Sequence, residues 1–237
     1  MTEHVSKYSD EVLGEILFKQ NLRSKRMFVK ILPGHLEVNL PHGFTEKNGL
    51  QFLFNEKDKI LKKKKSLEQK KILLTENNPL QTLTFAVQVK KANRKSLFSS
   101  MKSGVLTIEY PETLDEKDEQ VQQYFWNSIN YFLRKEAKRV LPKRTRFLAE
   151  KFNFNFSDVK IQSSKTRWGS CNQKKAINLS FYLLLLPQYL IDYVILHELC
   201  HTKELNHSPR FWEWMDRVTD GQAKTLRKEL KAYMTPR

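Results

Sequence analysis

The segment Val194–His207, VILHELCHTKELNH, holds an HExxH motif followed six residues after its second histidine by a third. Residues four apart on a helix lie one above the other, so the imidazoles of His197 and His201 can meet at one metal ion. Glu198 would then reach a water bound to it. Leu190, Ile191, Val194, Ile195, Leu196 and Leu199 make this helix apolar almost all round. It is therefore expected to be buried, from Tyr189 to about Leu205, and buried imidazoles need a partner or a metal. His207 falls well off the ligand face if the helix continues at about 100° per residue. A break is expected at Asn206, because asparagine tolerates the left-handed conformation that closes a helix. Ser208-Pro209 then offers an N-cap and first-turn proline for a new helix carrying Phe211, Trp212 and Met215.

These positions predict a three-histidine site, His197, His201 and His207, with a fourth position open to water. A distant carboxylate, as in gluzincins, is the alternative third ligand. The six-residue offset is also that of metzincin peptidases, but Glu204 stands where those carry a turning glycine, so membership there is not expected. Zinc in such a site lowers the pKa of its water towards about 7, and Glu198 is the expected general base. Tyr182, Tyr193 and Arg167 are candidate oxyanion donors. Cys200 points about 100° away from His201 and is read as a packed residue.

Net charge narrows the partners less. The 237 residues carry 42 basic and 26 acidic side chains, a formal charge of +16. Such a field favours polyanions, so nucleotides or non-specific nucleic acid binding are candidate partners. Charge is concentrated in Lys62–Lys65 with Lys70 and Lys71, in Lys90–Lys95 and in Arg134–Arg146. No apolar run is long enough for a membrane span, and the first residues lack the apolar core of a signal peptide. With only Cys171 and Cys200, no disulfide framework is expected, and the chain reads as cytoplasmic.

Apolar alternation at Met27, Val29 and Ile31, then at Leu36, Val38 and Leu40, around Pro33-Gly34, predicts a hairpin. From Thr45 the period becomes helical, with Leu50, Leu53, Phe54, Ile60, Leu61 and Leu67 as a stripe on a long basic helix. Alternation returns at Leu83, Phe85, Val87 and Val89, and at Leu106, Ile108 and Tyr110. Pro111-Glu112-Thr113 marks the expected boundary between domains 1–112 and 113–237. A helix follows from Val121 to Leu141, where Pro142 should kink it or start another through Phe152. Two short strands, Val159–Ser163 and Ala176–Leu179, flank KTRWGSCNQKK before the metal helix, and a last helix runs from Asp220 to near Tyr233. The expected class is α+β: a β-rich N-terminal domain with a long basic helix, then a mainly helical zincin-like domain with a short sheet. No internal repeat is read.

The ordered set Lys165-Thr166-Arg167-Trp168-Gly169-Ser170-Cys171, Ile177-Asn178-Leu179, Ile191-Asp192-Tyr193-Val194, HELCH, Asn206-His207-Ser208 and Phe211-Trp212 resembles the YgjP-like (SprT-related) zinc metallopeptidase family. The match is dense over about residues 115 to 235. The resemblance implies a zinc-dependent hydrolase with His197, His201 and His207 as ligands and Glu198 as general base. It leaves open peptide hydrolysis against nucleoside triphosphate (UTP) pyrophosphohydrolysis, which has also been associated with the family. A polyanion-binding protein with structural zinc is the third reading, though no fourth ligand is evident. Arg167 and Trp168 either pack a turn or form a substrate-binding wall of the cleft, Arg167 then offering a bidentate donor.

Overall fold

The computed structural model describes residues 5–32, 34–68 and 72–233, with the side chains at 66–68 outside the description. Pro33, Lys70, Lys71 and the Leu67 side chain, all named above, lie outside it. The fold is mixed α+β, and the chain packs as two compact units, Met1–Lys71 and Ile72–Arg237.

The first unit starts with strands β1 (Val5–Asp10), β2 (Gly14–Gln20), β3 (Phe28–Leu32) and β4 (His35–Leu40) and ends with helix α1 (Glu46–Glu68). The sheet order is β1-β2-β4-β3, with β4 antiparallel to β3, as the hairpin signal predicts, and parallel to β2. Ile16, Phe18, Leu36, Val38 and Leu40 on the sheet bury against Leu53 and Ile60 of α1. The approach is close at Gly49, where an added Cβ would stand 2.6 Å from the Phe18 ring. Phe54, expected in the stripe, is instead 74% exposed. It follows the buried Leu53 and so points about 100° away from it.

The second unit repeats this pattern. Strands β5 (Leu80–Gln81), β6 (Ala86–Ala92), β7 (Phe98–Lys102) and β8 (Val105–Pro111) pair in the order β5-β6-β8-β7, again with the second and fourth parallel, and helix α2 (Glu119–Phe152) follows. Phe28, Gly34, Leu36, Val38 and Pro41 have counterparts in Phe98, Gly104, Leu106, Ile108 and Pro111. Gly34 and Gly104 both turn the chain at positive φ, +81° and +76°. The expectation of no internal repeat is therefore corrected. The repeat lies in pairing and turn geometry, with too few identical residues to stand out along the chain.

Helix α2 starts at an Asp118 N-cap that accepts from the amides of Gln120 and Val121. It runs unbroken through Pro142, because Leu133, Ala137, Leu141 and Leu148 keep one face buried on both sides of the missing N–H. Val87, Val89, Leu106, Ile108 and Tyr110 share one core with Val121, Phe125 and Ile129 of α2 and with the residues around the HExxH segment. Packing thus divides the chain at 71/72, whereas the turn at Pro111-Glu112-Thr113 had suggested 112/113.

A small sheet completes the second unit: β9 (Asp158–Gln162), β10 (Gly169–Cys171) and β11 (Ala176–Ser180), in the order β10-β11-β9. β9 and β11 are parallel, so the segment between them is a crossover, not a hairpin loop joining the two, and it adds β10 as an antiparallel edge strand. A 3₁₀ turn (Phe181–Leu185) leads to α3 (Gln188–Cys200), α4 (Pro209–Val218) and α5 (Ala223–Leu230). Among the described residues no helix is long and apolar enough to cross a membrane.

Candidate metal centre

Helix α3 is buried on nearly every side, and Arg144 of α2 clamps its first turns by donating to both carboxylate oxygens of Asp192, at 2.7 and 2.6 Å. His197 and Glu198 sit in its last turn, and His201 is its C-cap in right-handed conformation. The helix ends five residues before the predicted Leu205, and Asn206 is not among the residues with positive φ. Termination needs no left-handed residue here. The amides of Thr202 and Lys203 bond to the carbonyls of Leu199 and Cys200, tightening the last turn, and the Thr202 hydroxyl also donates to Leu199. After this tight exit the chain reaches Ser208, whose hydroxyl caps α4 by accepting from the Phe211 amide, with Pro209 in the first turn.

The three histidines converge, each offering a ring nitrogen within 4.8 Å of the others. Nε2 of His207 lies 3.1 Å from Nε2 of His197. Two imidazole nitrogens on a tetrahedral zinc at the usual bond length would be about 3.3 Å apart. Nδ1 of His201 is 2.9 Å from the Glu204 carbonyl, which can only accept, so Nδ1 carries the proton and Nε2 keeps its lone pair. Burial, then the neighbouring charges of His201, His207 and Arg227, hold the His197 pKa down at about 3. Burial also lowers that of His201. The half-buried His197, the buried His201 and the exposed His207, with the first two disfavoured as cations by their burial, fit a metal ion shared between them. Phe211 is their common floor, with its ring centroid 4.9, 4.5 and 4.7 Å from those of His197, His201 and His207. Trp212 stacks on His207 from the same helix.

Glu198 is 5% exposed and its Oε2 has no hydrogen-bond partner. Burial pushes its pKa up to about 8, against the pull of the Arg167 charge. Gly169 of β10 makes room for it, since a Cβ there would stand 2.6 Å from Glu198 Oε1. Trp168 joins Gly169, Tyr193, His197 and Glu198 in lining a cavity of about 330 Å³, which Arg227, Leu230, Lys231 and Tyr233 also line. Arg167 is exposed and acts on Glu198 through its charge.

The candidate oxyanion donors separate in space. Tyr193 lines the cavity with a buried, unpartnered hydroxyl, whereas Tyr182 is buried beside Asn130 and Arg134 and is not among the cavity's lining residues. Cys200 is fully buried, with burial pushing its thiol up to about 12. Phe211, Gly169 and Arg227 were not assigned site roles from sequence. Phe211 carried a signal in its place one turn into a capped helix beside His207, while Arg227 carried none. Lys90 and Arg94 of the second basic run pair with Glu109, so part of the charge is neutralised internally.

A model of the YgjP-like metallopeptidase domain matches residues 25–233. Two solved structures are similar over part of the chain. The metallopeptidase zymogen of Pyrococcus abyssi abylysin is 22% identical, with a TM-score of 0.36, over 39% of this chain and 93% of that one. The metallopeptidase zymogen of Methanocaldococcus jannaschii jannalysin is 23% identical, with a TM-score of 0.31, over 37% of this chain and 94% of that one. No curated protein matches.

Proposed function

This chain belongs to the YgjP-like metallopeptidase family, and we propose that it is a zinc peptidase in which His197, His201 and His207 hold the metal and Glu198 moves the proton. The observation that carries the proposal is the convergence of three imidazole nitrogens within 4.8 Å, next to a buried carboxylate with no hydrogen-bond partner on Oε2. When bound, zinc supplies a Lewis acid and lowers the pKa of a coordinated water. Among the described residues no fourth histidine, cysteine or carboxylate joins the cluster, which favours a catalytic site with an open position over a closed structural one.

Glu198 accepts a proton from the attacking water and passes it to the leaving amine, a role suited to a buried carboxyl whose Oε2 has no hydrogen-bond partner. Tyr193 and Arg167 are the donors for the developing oxyanion. Edge strand β10 offers its backbone to an extended peptide beside Glu198, and Trp168 forms the cavity wall against which a substrate side chain packs.

Elemental analysis and turnover of an unfolded protein substrate test the scheme together. His197→Ala and His207→Ala should lose the zinc, about one ion per chain in the parent. Glu198→Gln should keep it and lose hydrolysis by a factor on the order of 100 or more. Undiminished metal in His207→Ala would return the third ligand to a carboxylate. Nucleoside triphosphates run in parallel separate the two chemistries: Glu198-dependent phosphate release without peptide cleavage would replace the peptidase reading.

A further inference from the structure

The cavity beside the histidines is lined by Glu198, Trp168 and Tyr193 together with Arg227 of α5 and Lys231, its C-cap. Four residues apart on one helix, these two cations share a face. Neither pairs with a carboxylate among the described residues, unlike Arg144 with Asp192, Arg139 with Glu136 and Arg94 with Glu109. The acid between them, Glu229, is engaged by the Tyr189 hydroxyl.

Arg227 is also held in place. Its guanidinium carbon lies 5.1 Å over the Trp212 ring, and Trp212 stacks on His207 with centroids 6.1 Å apart. The Arg227 charge is felt at His197 and at Tyr193, whose buried hydroxyl lacks a partner. Against these two cations the cavity lining offers one carboxyl, the buried Glu198, so an anionic ligand group would offset the remaining positive charge. The remaining walls, Trp168, Leu230 and Tyr233, are aromatic or apolar and suit the methylenes carrying such a group.

We propose that Arg227 and Lys231 form a subsite for a substrate carboxylate, so that the preferred peptide carries a negative charge next to the scissile bond. The proposal rests on the peptidase reading above and specifies its substrate class. The charge can come from an acidic side chain or from the free C-terminus of a short peptide, and the guanidinium fork suits either.

The test is equilibrium binding of three hydroxamate peptidomimetics to the zinc-loaded full chain by calorimetry. One carries a glutamate side chain with an amidated end, one a glutamine with a free terminal carboxylate, and one a glutamine with an amidated end. At least one charged compound should bind about tenfold or more tightly than the neutral one, and which of them does so identifies the source. Arg227→Gln/Lys231→Gln should bring the ratio of neutral to charged Kd down to about one, with the zinc content of the variant reporting that the site is still folded. Lys231→Gln alone, at an exposed position, should lower that ratio in part. Equal binding of all three compounds to the parent, or an advantage that survives the double variant, overturns the subsite. Charge-dependent binding without Glu198-dependent peptide cleavage would instead leave the subsite standing and remove the peptidase reading.

Discussion

Gly169 sets the position of Glu198 from edge strand β10 of the small sheet. Its missing side chain leaves the space that the carboxyl occupies, and a Cβ at 2.6 Å cannot be accommodated without moving Glu198. Gly169→Ala should therefore keep zinc and the fold while lowering kcat by roughly a hundredfold, the usual cost of displacing a catalytic group by about 1 Å. Unchanged kcat in a zinc-replete Gly169→Ala would show that the carboxyl relocates freely. Opposed pKa shifts predict a second property, in the metal-free protein. His197 stays neutral down to about 3 when folded, against 6.5 ordinarily, so the unfolded chain binds more protons between these values and stability is lost as pH falls through them. Glu198 stays protonated up to about 8 when folded, against 4.5 ordinarily, so stability is lost as pH rises from 4.5 to 8. The two slopes oppose each other between 4.5 and 6.5. Urea unfolding of the metal-free protein should show its best stability in that window and a decline of up to about 1.4 kcal/mol per pH unit from Glu198 above it. Glu198→Gln should remove the alkaline decline, and its persistence would assign that limb to another group.

At the level of elements, the link between α3 and α4 carries the third histidine. Its second half is legible in the sequence because capping is local: Ser208 bonds to the amide three residues on, and Pro209 fits the first turn. Its first half is not, because the Thr202 and Lys203 amides tighten the turn early and no left-handed Asn206 is needed. Ser208→Ala removes one cap bond and should cost about 1 kcal/mol of stability. Since α4 also carries Phe211 beneath all three imidazoles, zinc affinity should fall with it, measurable by chelator competition. Stability lost without a change in zinc affinity would uncouple the cap from the site. Strand β10 escaped the reading because it has only three residues and owes its conformation to β11. β1 is exposed along most of its length and so offers no apolar period.

At the scale of the whole molecule, the turn at Pro111-Glu112-Thr113 suggests a boundary at residue 112 because it closes the last strand of the β-rich half. β5 to β8 pair like β1 to β4, so division by strand type alone would join them. Buried surface groups them otherwise, since Leu106, Ile108 and Tyr110 share a core with Phe125 and Ile129 of α2. A fragment 72–237 should therefore fold cooperatively and bind zinc, whereas 113–237, which exposes Phe125 and Ile129, should aggregate or melt without a sharp transition. A cooperative 113–237 fragment would restore the division at 112/113.

Local chemistry is what the sequence determined by itself. The HExxH spacing, the apolar face that buries α3, the cap at Ser208 and the alternation of β3, β4, β6 and β8 each depend on residues a few positions apart. Tertiary structure alone decided that Gly169 shapes the space around Glu198, that β9 and β11 run parallel, and that Arg227 returns to the cavity thirty positions after His197. Those relations arise from where the chain comes back on itself, which is governed by buried area summed over a whole core and leaves no periodic trace in any single segment.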